Sequence, residues 1–478
     1  MSVLWVVPVF LALLAVIALG ASGRGFAGLR WTGTVGIGFS LLARTVGWWR
    51  TSDALVSWFY FVVALLSMFA LWYSGPYLER EAEQHQWSLA RVRRYYGFLF
   101  LFIAALASLA LWTNLLFLWL AMEACTLSSV VLTAAPQNQG AVRAAFKYVV
   151  ITELGGLVAL TGTILALTAV GSPLFAWHPA PAHAVSAVHQ HWALIGGLLA
   201  LVGYGAKAGL APFHTWLPDA HSEAPAPVSA LLSGLKLAGG VVIVLRLDRV
   251  LAGAIPSGTL KDGLIVLGLL SLVVAAAFMA VQRDLKRLWA YSSIEHIGLI
   301  ALGIGFGGIA LIGAMLHIFT HAVSKTLLFH NAGTVRLLYR SSDFTAGAKA
   351  VMQRTPWTGA LLAIGAAAIV GLPPFAPFWS EWLILAGGFH LAANRVFVLI
   401  AAALLVIIFV ATVRQMPQWL FTPGRGSMGT EARIAEPGAL VFPGVILAIL
   451  VVAGGIGIPM ALHPLWTHLV QQWGGVTL

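Results

Sequence analysis

Charge is what this sequence has least of. Only 9% of its 478 residues are Asp, Glu, Lys or Arg, whereas 60% are hydrophobic and the mean hydropathy is +0.91. Soluble domains carry about 25% charged residues, so an ordinary soluble fold is excluded. A single cysteine, Cys125, excludes an internal disulfide and a cysteine-ligated iron–sulfur cluster within the chain. Alternating segments of about ten residues are absent, which excludes a transmembrane β-barrel. No basic stretch precedes the first apolar run, Leu4 to Leu19, so no cleavable signal peptide is expected.

Long apolar runs fill the space that charge leaves. About fourteen of them are long enough to cross a hydrocarbon core of about 30 Å, which predicts an all-α polytopic membrane protein. The excess of 27 Lys and Arg over 16 Asp and Glu follows from topology. With fourteen spans, the loops on one side hold eighteen basic residues, among them Arg91, Arg93, Arg94, Arg283 and Arg287, and those on the other hold six. Basic loops stay inside, so both termini are expected outside a bacterial inner membrane, and nucleic acid is not an expected partner. The polar connection with His178, His183, His189 and His191 matches no zinc spacing and lacks Cys and carboxylates, so no metal is expected there.

Three lysines, Lys207, Lys236 and Lys325, fall inside apolar runs. A lysine at membrane depth costs roughly 2.5–3.5 kcal/mol on insertion scales and normally faces a partner or a wet cavity. Lys207 lies in GYGAKAGLAPFHTWLPDAHSEAPAPVSALLSG, just before Pro212 breaks its helix. A break at that depth is tolerated only where protein or water satisfies the freed backbone. The segment Gly209-Leu-Ala-Pro-Phe213 recurs as Gly371-Leu-Pro-Pro-Phe375, with Glu381 just beyond the second copy. Paired broken helices accompanied by charges are the mark of transporters built from inverted repeats. The Gly-rich run GIGFGG, Gly303 to Gly308, lacks a strand–turn–helix context and reads as helix packing.

Glu123 lies deep in LLFLWLAMEACTLSSVVL. Desolvation and a nearby ammonium act on a carboxyl in opposite directions, so Glu123 beside a lysine such as Lys207 could be balanced to release or capture a proton. His317, His321 and Lys325 recur at i, i+4 and i+8, on one helical face, and form a candidate proton relay. A metal bound by His317 and His321 is the rival reading, but no carboxylate lies between them. Lys236 could bridge the two halves. Glu295 and His296 read as opening a span, and with His214, His221 and Glu223 they are candidate proton-uptake or interface groups at the cytoplasmic mouth. Glu153 has no assigned role, a pair with Lys147 being one reading.

These motifs, with QRDLKRLWAYSSIEHIG and GLPPFAPFWSEW, resemble the antiporter-like membrane subunits of respiratory complex I, multisubunit cation/proton antiporters and membrane-bound hydrogenases. The wording HSEAPAPVSALLSG and AYSSIEHIG looks most like the F-type subunit of hydrogenase-4 and formate hydrogenlyase. The resemblance implies about fourteen helices in two inverted five-helix repeats, with helices seven and twelve broken. Residues 1–95 would hold helices 1–3, 96–250 the first repeat, 251–421 the second, and 422–478 the last helix. It also implies proton translocation through Glu123, Lys207, Lys236, His317, His321, Lys325 and Glu381. Lys236 departs from the pattern, because Ala238 stands where the family's lysine usually lies, and two residues rotate a helix by about 200°.

The expected function is that of a proton-translocating subunit coupled to redox chemistry in other chains. No catalytic residue, cofactor or metal is expected in this one. The implied partners are other membrane subunits, lipids and a soluble arm of iron–sulfur and nickel–iron proteins. The alternative is an energy-coupling subunit for inorganic carbon uptake, with a zinc-dependent carbonic-anhydrase-like partner.

Overall fold

The computed structural model describes residues 6–21, 25–47, 53–172, 186–345, 347–423 and 432–461. Among them no strand forms. The chain runs through α1 (Val6–Gly20), α2 (Gly25–Gly47), α3 (Ala54–Gln84), α4 (Leu89–Leu111), α5 (Leu115–Thr133) and α6 (Gln139–Ala169). It continues through α7 (Ala187–Ala208), α8 (Leu217–Glu223), α9 (Ala226–Leu231), α10 (Leu237–Val250), α11 (Thr259–Met279) and α12 (Leu285–Phe306). The last helices are α13 (Gly308–Tyr339), α14 (Val351–Arg354), α15 (Pro356–Ile369), α16 (Ala376–His390), α17 (Arg395–Leu420) and α18 (Gly438–Ala461). Ten candidate spans among the described residues are long and apolar enough to cross a membrane; α7–α8 and α9–α10 each count as one. The charged α12 is outside that set.

Short polar residues start the helices where the sequence changes from loop to apolar run. Asp53 accepts from Leu55 N and Val56 N, Asn114 from Leu116 N and Phe117 N, and Asp284 from Arg287 N. Each satisfies backbone donors that a helix start leaves free. Small residues then set the spacing between helices. A Cβ at Gly162 of α6 would overlap the Ala200 backbone, and one at Gly196 of α7 would overlap that of Ala166. The two helices therefore pack backbone against backbone, as small-residue stripes allow in membranes.

The core sits around α13 and the α9–α10 unit. The apolar window of α13 is 94% buried and that of the α9–α10 unit wholly so, against 22% for the segment ending in α17. Helix α13 packs against α3, α9, α12, α15, α16 and α18. Its polar side chains therefore face protein.

Both sequence-predicted breaks are present. Gly209 (φ +73°) ends α7 and Gly371 (φ +71°) follows α15, each in the left-handed region where glycine avoids the Cβ penalty. The freed backbone groups at the first break find partners inside the protein. Ser271 Oγ accepts from Ala211 N at 2.9 Å, and Trp216 Nε1 donates to Ala206 O at 3.1 Å.

Candidate functional site

The first cluster forms where α5, α6 and the end of α7 meet. Lys207 Nζ lies 2.5 Å from Glu123 Oε2, 3.3 Å from Thr126 Oγ1 and 3.5 Å from Glu153 Oε1. The lysine is fully buried and Glu123 nearly so, whereas the Glu153 side chain is 35% exposed. One ammonium is thus shared between a buried carboxylate and a partly exposed one. The glycine-lined α6–α7 contact makes the approach possible, because a Cβ at Gly156 would overlap Glu123 Oε1. The suggested Glu153–Lys147 pair is not formed: Lys147 binds Asp219 at 2.9 Å, and Arg287 holds the other oxygen at 2.8 Å.

Lys236 joins this cluster from the α9–α10 unit. Its Nζ donates to the Lys207 carbonyl at 3.1 Å and lies 4.6 Å from the Trp216 ring centroid and 5.0 Å from that of Tyr148. The acceptor is one of the carbonyls left free where α7 ends, at the negative end of its dipole, and two aromatic faces add cation–π attraction. Residues Leu232–Lys236 form a π-helical turn, which changes the rotation per residue immediately before the lysine. The stretch after Lys236, through Arg246, is regular α-helix, so the two-residue offset from the family position stands, and Lys236 reaches the Lys207 carbonyl from its own position.

The same unit touches the second half. Ser233 Oγ and Ser293 Oγ are 2.7 Å apart, and a Cβ at Gly234 would crowd the Ala322 backbone of α13. Deeper in, Lys325 Nζ donates to Trp289 O at 2.9 Å, and among the described residues it has no carboxylate within 4 Å. Lys236 and Lys325 are alike in this respect. A carbonyl accepts from an amine as well as from an ammonium, so both contacts survive loss of a proton.

The second cluster is built on histidine. His296 Nδ1 and His317 Nε2 are 2.9 Å apart, and His317 Nδ1 lies 2.8 Å from Ser380 Oγ. Ser380 Oγ also lies 2.8 Å from Pro377 O and 3.0 Å from Thr320 Oγ1, and with its proton directed to the Pro377 carbonyl it accepts from His317 Nδ1–H. That network assigns the free His317 Nε2 lone pair as acceptor from His296 Nδ1–H. The His321 ring centroid lies 5.2 Å from that of His296, and neither of its nitrogens has a partner among the described residues. A ligand atom of Glu381 comes within 4.8 Å of those of His296 and His317.

Three positions differ from the sequence reading. Glu295 and His296 do not open a span, because α12 starts at Leu285, capped by Asp284, and both side chains are buried. His221 is not at a mouth. It is wholly buried, stacks on Phe329 at 5.3 Å, and lies within electrostatic reach of Lys236, Lys286 and Lys325. His214 and Glu223 remain half-exposed, consistent with groups nearer an edge. His189 and His191 are exposed on the first turns of α7, and His178 and His183 lie outside the described residues.

Sequence reasoning missed Lys286, whose ammonium is buried against Ala224 O, and His330, buried and stacked on Tyr73 at 4.0 Å. The first looked like part of a basic loop. The second is five residues past Lys325, off the i, i+4 stripe that drew attention to its neighbours.

A polytopic helical bundle with two broken helices and buried lysines, histidines and carboxylates near the breaks defines an ion-transporter class of membrane protein. Residues 112–409 match the family described as NADH:quinone oxidoreductase/Mrp antiporter, TM, and the chain belongs to that family. It is 33% identical over 365 residues to a protein named hydrogenase-4 component F homolog from Methylacidiphilum infernorum, covering 74% of each chain. The fold is shared with a chain of the archaeal membrane-bound sulfane sulfur reductase at TM-score 0.82 and 23% identity, covering 99% of this chain and 96% of that one. A chain of the Mrp complex from Dietzia sp. DQ12-45-1b gives TM-score 0.81 at 16% identity, over 100% and 98%.

Proposed function

We propose that this chain translocates protons as a membrane subunit of a complex I-related redox assembly of the hydrogenase-4 type. Protons pass through Glu123, Lys207, Lys236, His317, His321, Lys325 and Glu381, with Glu295 and His296 joining the second half and His221 lying between the lysines. The observation that carries the reading is the double engagement of Lys207. Its ammonium holds Glu123 at 2.5 Å while its carbonyl holds the Lys236 ammonium at 3.1 Å. A shift of α7's end therefore changes the surroundings of three titratable groups at once. Buried ion pairs contribute little net stability, so a functional reason for keeping Lys207, Lys236 and Lys325 in the core is the better account.

In this reading the chain holds no redox cofactor. Electrons move in a soluble arm of iron–sulfur and nickel–iron partners, and neighbouring membrane subunits and lipids cover the outward faces. The membrane is a bacterial inner membrane with both termini outside. The relative named as a hydrogenase-4 component F homolog supports this choice of assembly. No geometric feature or relative described above favours the inorganic-carbon alternative.

The test is Lys236→Met, which keeps an unbranched side chain and removes the amine. The assembled variant complex, reconstituted in liposomes, is expected to lose most redox-driven proton uptake. Wild-type proton uptake would falsify the assignment of Lys236.

A further inference from the structure

We propose that His296, His317 and Glu381 form a binding site for a divalent transition-metal ion of the zinc class, and that its occupation arrests the histidine relay. The three residues come from α12, α13 and α16, and one ligand atom from each lies within 4.8 Å of the others. They are the only such group of His, Cys, Asp and Glu side chains among the described residues. Two imidazoles and a carboxylate form a set that suits zinc better than a hard cation such as magnesium, which favours oxygen ligands.

The distances leave a modest adjustment. Zinc bonds of about 2.0–2.1 Å in a tetrahedron place ligand atoms about 3.4 Å apart. The His296 and His317 nitrogens, at 2.9 Å, need to part slightly. Glu381, whose half-buried carboxylate packs against Gly371, must come closer. The fourth position is left to a water, as in open zinc sites, because His321, although its ring lies 5.2 Å from that of His296, is not in the group whose ligand atoms lie within 4.8 Å of one another.

The outer contacts are those that orient metal ligands. Ser380 accepts from His317 Nδ1 and so presents its Nε2 lone pair to the site. On the far side of the other ring, Glu295 Oε2 lies 3.7 Å from His296 Nε2. When a metal takes His296 Nδ1, the ring proton moves to Nε2, which has no hydrogen-bond partner in the structure, and that carboxylate must close from 3.7 Å by several tenths of an ångström to receive its hydrogen bond. Carboxylate–histidine–zinc arrangements of this kind fix the tautomer, and losing the outer partner typically weakens binding 10–100-fold. A bound ion also replaces the His296–His317 hydrogen bond, which is why occupation would stop proton transfer there. The binding claim stands on this geometry, and only the arrest rests on the proposed proton path.

The experiment uses the assembled complex in a background in which His178, His183, His189 and His191 are alanine, so that the connection with exposed histidines does not compete. Titration with Zn²⁺ alone should show one ion per copy of this chain that is lost in the site variants. His296→Ala or Glu381→Gln should weaken binding at least tenfold, and Glu295→Gln by a similar or smaller factor. If His296→Ala fails to assemble, Glu381→Gln and Glu295→Gln still decide. No bound ion, or unchanged affinity in these variants, overturns the site and leaves a Lys207-dependent proton path untouched. One bound ion with unimpaired proton pumping overturns the arrest and counts against a relay through His317.

Discussion

Gly156→Ala probes the Glu123–Lys207 pair without altering any charge. The added Cβ would overlap Glu123 Oε1 and lie 2.7 Å from Lys207 Cε and 2.9 Å from Nζ. Overpacking of this kind costs about 1–3 kcal/mol. The helix backbones are held by close glycine contacts, so the two long side chains are the parts that give way. At an effective dielectric of about 20, widening the 2.5 Å contact to about 4 Å forfeits about 2.5 kcal/mol of attraction. That corresponds to a roughly seventyfold change in an equilibrium constant that depends on the pair. Redox-driven proton uptake by the assembled complex in liposomes, followed with a pH-sensitive dye, is expected to fall more than tenfold. Gly205→Ala on α7 is the control, because its Cβ meets Leu267 at an ordinary 3.4 Å, and it should pump normally. Assembled Gly156→Ala pumping at the wild-type rate would refute the reasoning.

Other outcomes follow from single contacts. Ser380→Ala leaves the buried His317 Nδ1–H without its acceptor, at a cost of about 1–3 kcal/mol, and should slow proton uptake severalfold. Ser380→Thr should restore most of it, and a wild-type rate in Ser380→Ala would contradict the tautomer assignment. Asp219→Ala breaks two partly exposed pairs, each worth about 1 kcal/mol or less, so the melting temperature of the complex should fall only slightly. A large loss would mean that the connector clamp is a main support of the fold. For topology, Glu83→Cys in a Cys125→Ser background should be shielded from an impermeant thiol reagent outside intact cells, whereas Ser257→Cys should react. The opposite pattern inverts the orientation.

The membrane class, both breaks and the Lys207 neighbourhood were legible in the sequence because each imposes a cost that chemistry must answer. Apolar runs exceed any soluble need, Pro212 and Pro374 interrupt helices, and lysines in apolar runs require partners. The partners themselves were less legible. Glu153 stands six residues from Lys147, off the i, i+4 face, and its closeness to Lys207 depends on packing between α6 and α7. Lys236 could be placed in its helix from the sequence, but its contact with the Lys207 carbonyl depends on packing between the α9–α10 unit and the end of α7. Glu295 and His296 were taken for a helix opening because QRDLKRLW reads as a basic loop. The structure instead starts α12 at Leu285 and buries Lys286 inside. His296 thus reaches His317 through a helix boundary that composition had hidden.

The central claim is that protons cross this chain through Lys207. Its most direct test is the number of protons translocated per electron pair by the assembled complex carrying Lys207→Ala or Lys207→Arg. Arginine keeps the charge but does not release its proton at accessible pH. The account expects the ratio to fall sharply with alanine and to recover only partly with arginine, while the complex remains assembled. A wild-type ratio in assembled Lys207→Ala would contradict it.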